Sequence, residues 1–121
     1  MTELYVGRRS DLANGMRLFV DLGDTEVGVL EHGGRLYAYE NRCVHQGGPV
    51  CEGMILGQVE ELIDADGKRR GARFSTTELH LVCPWHAVEY DLETGECVAD
   101  RRRRLRRYDV RERDDGIYIE I

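Results

Sequence analysis

The sequence predicts an all-β fold, an antiparallel sandwich or barrel of about eight to ten short strands. Three observations carry that expectation: short runs rich in β-branched and aromatic residues, turn formers between them, and no segment with a long helical period. Leu4-Tyr5-Val6 is the first run, and residues 16–22 form the second, entered through Asn14-Gly15 and left through Gly23-Asp24. Residues 26–31 and 35–40 follow. Gly33-Gly34 lies between them, and both central residues of the tightest hairpin turn need positive φ, which glycine adopts without penalty. Toward the C-terminus, Leu105, Tyr108 and Val110 lead to a turn at Asp114-Asp115-Gly116. Beyond it, Ile117, Ile119 and Ile121 share one face, with Tyr118 and Glu120 on the other. Tyr5, Phe19, Tyr37 and Tyr39 read as core or sheet-face residues.

A chain of 121 residues fits one domain, residues 1–121. With 41% hydrophobic residues it is too apolar to be disordered, and no apolar stretch approaches the roughly 18 residues of a membrane span. The net charge of −6 hides an asymmetry: residues 101–113 carry eight arginines against Asp109 and Glu112, so the rest of the chain sums to −12. Nucleic acid needs a broad basic surface, and a mostly acidic protein is a poor general binder of it. The run around Arg101-Arg102-Arg103-Arg104 and Arg106-Arg107 reads first as the solvated face of a strand and its lead-in, next as a surface for an acidic partner. Arg8-Arg9 has the look of a twin-arginine export signal, but no apolar run follows it. The expected location is the cytoplasm, with no membrane partner, and there the four cysteines stay reduced unless they bind something.

Two segments break the period-2 pattern. One reads Asn41-Arg42-Cys43-Val44-His45-Gln46-Gly47-Gly48-Pro49, the other Cys83-Pro84-Trp85-His86-Ala87. They hold both prolines and the one tryptophan of the chain. Each offers one thiolate and one imidazole on a tight loop, so two loops brought together supply two Cys and two His. Structural zinc also takes that set, but zinc fingers group their cysteines together and their histidines together. A mixed pair from each loop suits a [2Fe–2S] centre in which two cysteines hold one iron and two histidines the other. Neutral histidines lower the negative charge around such a cluster and favour the reduced form, giving roughly −150 to +300 mV against about −400 mV for all-cysteine clusters.

At these residues the chain resembles the Rieske iron–sulfur family: C-V-H-Q-G-G-P, then C-P-W-H-A, then Tyr90-Asp91-x-x-Thr94-Gly95 and the closing hairpin of residues 105–121. The resemblance implies a Rieske-like antiparallel β-sandwich or barrel with a small cluster-binding subdomain built from two loops, about residues 41–58 and 83–87. It implies that Cys43, His45, Cys83 and His86 bind one [2Fe–2S] cluster, the histidines through Nδ1 with Nε2 near solvent. Gln46, Gly48, Trp85, Val88 and Tyr90 surround it. Respiratory members tie the loops with a disulfide, and the corresponding positions here are Gly48 and Trp85, so that bridge is absent. High-potential members place a serine and a tyrosine hydroxyl where this chain has Val88 and Tyr90; one donor is missing and one kept. The 37 residues between His45 and Cys83 exceed the family's usual spacer by about twenty. The surplus, about residues 59–78, reads as an added hairpin turning at Asp66-Gly67, equally a tolerated surface insertion or a partner-recognition element. Cys51 and Cys97 are expected to be small buried thiols, and His32 and His80 ordinary residues.

The family's chemistry is one-electron transfer. Oxygenase subunits of the family carry a second domain with mononuclear iron on two histidines and a carboxylate; this chain has only His32 and His80 to spare. The expected role is a Rieske-type ferredoxin, an electron-transfer component rather than a catalyst by itself, between a flavin-containing NAD(P)H-dependent reductase and a terminal oxygenase. The alternatives are a Rieske-like small subunit or regulatory module of a larger reductase, such as assimilatory nitrite reductase, and a redox sensor.

Overall fold

The structure is a computed structural model that describes residues 2–44 and 46–121. Among the described residues it is all-β: ten strands in three antiparallel sheets, with only short 3₁₀ turns at Arg9–Gly15 and Val50–Glu52. The strands are β1 (Glu3–Arg8), β2 (Leu18–Asp21), β3 (Glu26–His32), β4 (Arg35–Glu40), β5 (Met54–Ile63), β6 (Arg69–Val82), β7 (Glu89–Asp91), β8 (Arg107–Tyr108), β9 (Val110–Arg113) and β10 (Gly116–Glu120). The sheets have the orders β1-β10-β9, β2-β3-β4-β8 and β5-β6-β7, and none closes on itself, so the barrel is not formed. Among the described residues no helix is long and apolar enough to cross a membrane.

Local chemistry accounts for the joints. Gly33 and Gly34 have φ of 60° and 84°, and His32 pairs with Arg35, which makes the two-residue hairpin that the sequence predicts. In β10, Ile117 and Ile119 are fully buried by alternation, whereas Ile121 lies past the strand end and is exposed. Tyr37 and Tyr39 are core residues; Tyr5 and Phe19 lie on exposed sheet faces.

The central sheet divides two hydrophobic cores. Val27, Val29 and Ala38 face Leu12, Tyr108, Ile117 and Ile119 on one side. Leu30, Tyr37 and Tyr39 face Leu81, Tyr90, Leu92 and Leu105 on the other, and Cys43 and Cys83 belong to this second core. Two tyrosine hydroxyls fasten the β7 end to β4: Tyr39 donates to the Leu92 carbonyl at 2.6 Å, and Tyr37 to Glu93 Oε1 at 2.7 Å.

The first loop ends at Gly53, because β5 starts at Met54 and pairs at once with Val82. From there β5 and β6 run together as one long hairpin, irregular at Gly57/Val59, to a turn at residues 64–68. The surplus segment is therefore the outer half of this arm. Val82 passes directly into the second loop, so the far end of the 14-residue β6 is about 40 Å from it at ~3.3 Å per residue.

Candidate functional site

The first loop is clamped at its base. Asn41 Oδ1 accepts from the Cys51 amide at 2.9 Å while Asn41 Nδ2 donates to Glu26 Oε1 at 2.7 Å. Arg17 donates to the carbonyls of Cys51, at 2.7 Å, and Gly53. Within the loop, the Cys43 amide donates to the Gly48 carbonyl, and the Gly47 amide to the Cys43 carbonyl, both at 2.8 Å. The second loop is closed by the Cys83 amide donating to the Val88 carbonyl at 2.8 Å. Inside it, His86 and Ala87 both adopt left-handed φ, 63° and 53°. Two consecutive non-glycine residues in that region carry strain, which is held where surrounding structure over-determines it and is concentrated at functional sites.

These two loops meet. Cys43 and Cys83 are both buried in the same core, close enough for the Cys43 thiol to influence the Cys83 thiol. Burial raises the Cys83 pKa, and the hydrogen bond and charge of Cys43 add to the rise. On the outer side, His86 is exposed and its Nε2 lies 2.7 Å from Gln46 Oε1 of the first loop. His45 lies outside the described residues. Trp85 packs on Gly48 so closely that a Cβ on that glycine would sit 2.8 Å from the indole ring. The positions that hold a disulfide in respiratory relatives are thus in contact here through ring-on-backbone packing.

Tyr90, fully buried, brings its hydroxyl to 3.0 Å from Cys43 Sγ and accepts from the Val44 amide at 3.0 Å. Val88 is half-buried against the same core. Cys51 and Cys97 are buried free thiols. Burial pushes the Cys51 thiol up to about 12, so it stays protonated and donates to the Tyr39 carbonyl at 3.4 Å. His32 sits beside the Gly33-Gly34 turn. His80 is buried, with Nδ1 3.0 Å from Glu89 Oε1 and Nε2 without a partner among the described residues.

Sequence reasoning missed three contributors. Arg17 and Asn41 anchor the first loop but carry no motif. Arg103, read as part of a solvated strand face, is in an exposed turn and donates to the Val44 carbonyl at 2.7 Å, between Cys43 and His45. Of the arginine run, only Arg107 lies in a strand.

A family model described as Rieske [2Fe–2S] domain matches residues 2–109. A human Rieske domain-containing protein is 35% identical over 95 residues, covering 78% of this chain and 50% of that protein. An NAD(P)H nitrite reductase of Emericella nidulans is 26% identical over 103 residues, 82% of this chain and 8% of that protein. The chain thus spans half the length of the first relative and a small fraction of the second. Among solved structures, the ferredoxin of carbazole 1,9a-dioxygenase from Nocardioides aromaticivorans shares the fold, with a TM-score of 0.66 and 23% identity over 98% of this chain and 97% of that one.

Proposed function

This chain belongs to the Rieske [2Fe–2S] domain family, and we propose that it is a Rieske-type ferredoxin carrying single electrons from a flavin-containing NAD(P)H-dependent reductase to a terminal oxygenase. The family's cofactor is one [2Fe–2S] cluster, and the donors present fit it: two thiols buried in one core, with the His86 imidazole on the exposed side of the same two loops. Cys43 and Cys83 would hold one iron, His45 and His86 the other. The cluster, when bound, supplies a one-electron couple whose potential is set by its ligands, hydrogen bonds and exposure. The single observation that carries the reading is the convergence of the two loops into a tip with buried cysteines and an exposed histidine.

The chain's own residues have distinct tasks in this reading. The Cys43 and Cys83 side chains are kept from water by the core around Leu81 and Tyr90. Gln46 contacts the His86 imidazole, and Gly47, Pro49, Pro84 and Trp85 of the same two loops are the proposed docking tip, with few long side chains to desolvate, as suits a transient contact at the low end of interface size. Gly48 and Val88 fix the two loops to each other and to the core. The cytoplasm is the proposed location.

The test is purification under anaerobic conditions. Two irons and two acid-labile sulfides per chain are expected, with an EPR signal on one-electron reduction. One zinc per chain in a colourless protein would overturn the assignment. Added to reductase and oxygenase, the protein should restore coupled NAD(P)H use. The alignment with an NAD(P)H nitrite reductase favours a second reading, a small subunit or module of a larger reductase. Stoichiometric co-purification with a large reductase subunit would select it over the carrier.

A further inference from the structure

We propose that the arginine turn of residues 101–107, together with Arg42, is a docking collar for an acidic patch on the redox partner, seated beside His86. The inference deepens the carrier reading, from which it takes the position of the electron exit. Arg103 pins the turn against the first loop through the Val44 carbonyl at 2.7 Å. Between turn and loop lies a cavity of about 410 Å³ whose walls include Glu40, Arg42, Gln46, Gly47, Arg104 and Arg106. Gln46 is also the residue whose Oε1 lies 2.7 Å from His86 Nε2, so one side chain separates the basic cavity from the exposed imidazole.

The charges there are in surplus. Arg104 is paired with Glu96 at 3.2 Å, Arg102 with Asp100 at 3.0 Å, and Arg101 lies 3.6 Å from both Asp91 and Glu96. Arg42 and Arg106 have no carboxylate partner among the described residues, and Arg106 lies over the Tyr108 ring at 5.1 Å. Residues 101–107 hold six arginines and no acid in a protein of net charge −6. A guanidinium fork matches a carboxylate with two parallel hydrogen bonds, and a local field at an interface rim steers encounter and fixes orientation. The collar is small and the body around it acidic. An acidic patch on a protein fits that arrangement, whereas a nucleic-acid backbone would track into repulsion beyond the collar.

Calorimetric titration of the holo-protein with poly-L-glutamate, and separately with a DNA duplex, tests the class of partner. Saturable binding of poly-L-glutamate at low salt is expected, weakened roughly tenfold by Arg104→Gln with Arg106→Gln, as expected for removing two rim charges. Arg69→Gln with Arg70→Gln, an equal charge change on the distant arm, should leave it unaltered. Both variants should keep the EPR spectrum of the parent. Location at the exit is read by oxidising the reduced protein with anionic tris(oxalato)cobaltate(III) or cationic tris(phenanthroline)cobalt(III), each taking one electron from the cluster to give cobalt(II). The anionic reagent should lose rate in the collar variant while the cationic one does not. No binding of poly-L-glutamate, equal loss in the arm variant, tighter binding of the duplex, or an anionic rate that ignores the collar would each overturn the proposal. The titration involves no electron transfer, so absence of an EPR-active cluster would refute the carrier and leave the collar to be judged on binding alone.

Discussion

The Tyr90 hydroxyl lies between the Val44 amide, which donates to it, and Cys43 Sγ, each at 3.0 Å. A Cys43 thiolate holding iron has no proton to give, so in the cluster reading the Tyr90 hydroxyl is the donor of this contact. Burial, with the hydrogen bond to Cys43, raises the Tyr90 pKa, so the phenol keeps that proton. With Cys43 as the proposed ligand, a donor aimed at its sulfur stabilises the more negative, reduced state. Tyr90→Phe is therefore expected to lower the reduction potential by an amount on the order of tens of millivolts, and Val88→Ser to raise it similarly. Tyr90→Phe also strips the Val44 amide of its acceptor, at a cost of about 1–3 kcal/mol in stability. Voltammetry checks both variants; unshifted potentials in the pair would show that neither side chain reaches the cluster. Tyr90 was legible from its position after the second loop. The amide it serves was not, because only the folded backbone places Val44 there.

Among the elements, the two loops and the long β5–β6 arm separate cleanly in what their sequence reveals. The Gly33-Gly34 hairpin, the Asp114-Asp115-Gly116 turn and the Cys/His loops announce themselves because turn geometry and ligand chemistry restrict which residues serve. The clamps at the loop base are silent, since Arg17 acts through carbonyls 34 and 36 residues away, which any long donor could reach. The arm's hairpin was readable at Asp66-Gly67, but its direction was not: that follows from β6 feeding the second loop at its C-terminal end. Since Gly57 pairs with Leu79, replacing residues 58–78 with a two-residue Asn-Gly turn should close the strands without disturbing Met54, Ile55, Leu81 or Val82. The shortened protein is expected to keep its iron content, EPR spectrum and potential. Loss of iron on deletion would mean that the arm supports the site, contrary to its pairing. Val59 and Phe74, paired and exposed on that arm, are then the residues whose removal improves solubility.

For the whole molecule, the two cores on opposite sides of the β2-β3-β4-β8 sheet divide stability from tuning. Ile119 and Leu81 are both fully buried, and truncating either to alanine should cost about 2–5 kcal/mol by lost burial and a residual cavity. Their neighbours differ. Ile119 packs with Leu12, Val29 and Tyr108, in the core that contains neither Cys43 nor Cys83, the two proposed cluster ligands. Leu81 is register partner to Tyr90 and shares its core with Cys43 and Cys83. A cavity at Leu81 gives the Tyr90 ring room to move, and a hydroxyl 3.0 Å from Cys43 Sγ has little tolerance for movement. Ile119→Ala should lower Tm while leaving the potential and EPR line shape as in the parent. Leu81→Ala should lower Tm comparably and also broaden the EPR signal, shift the potential downward and hasten loss of iron on standing. Paired thermal melts, voltammetry and iron assays on the two variants decide it. A potential that moves equally in both would show that the central sheet transmits packing changes rather than isolating the site from them.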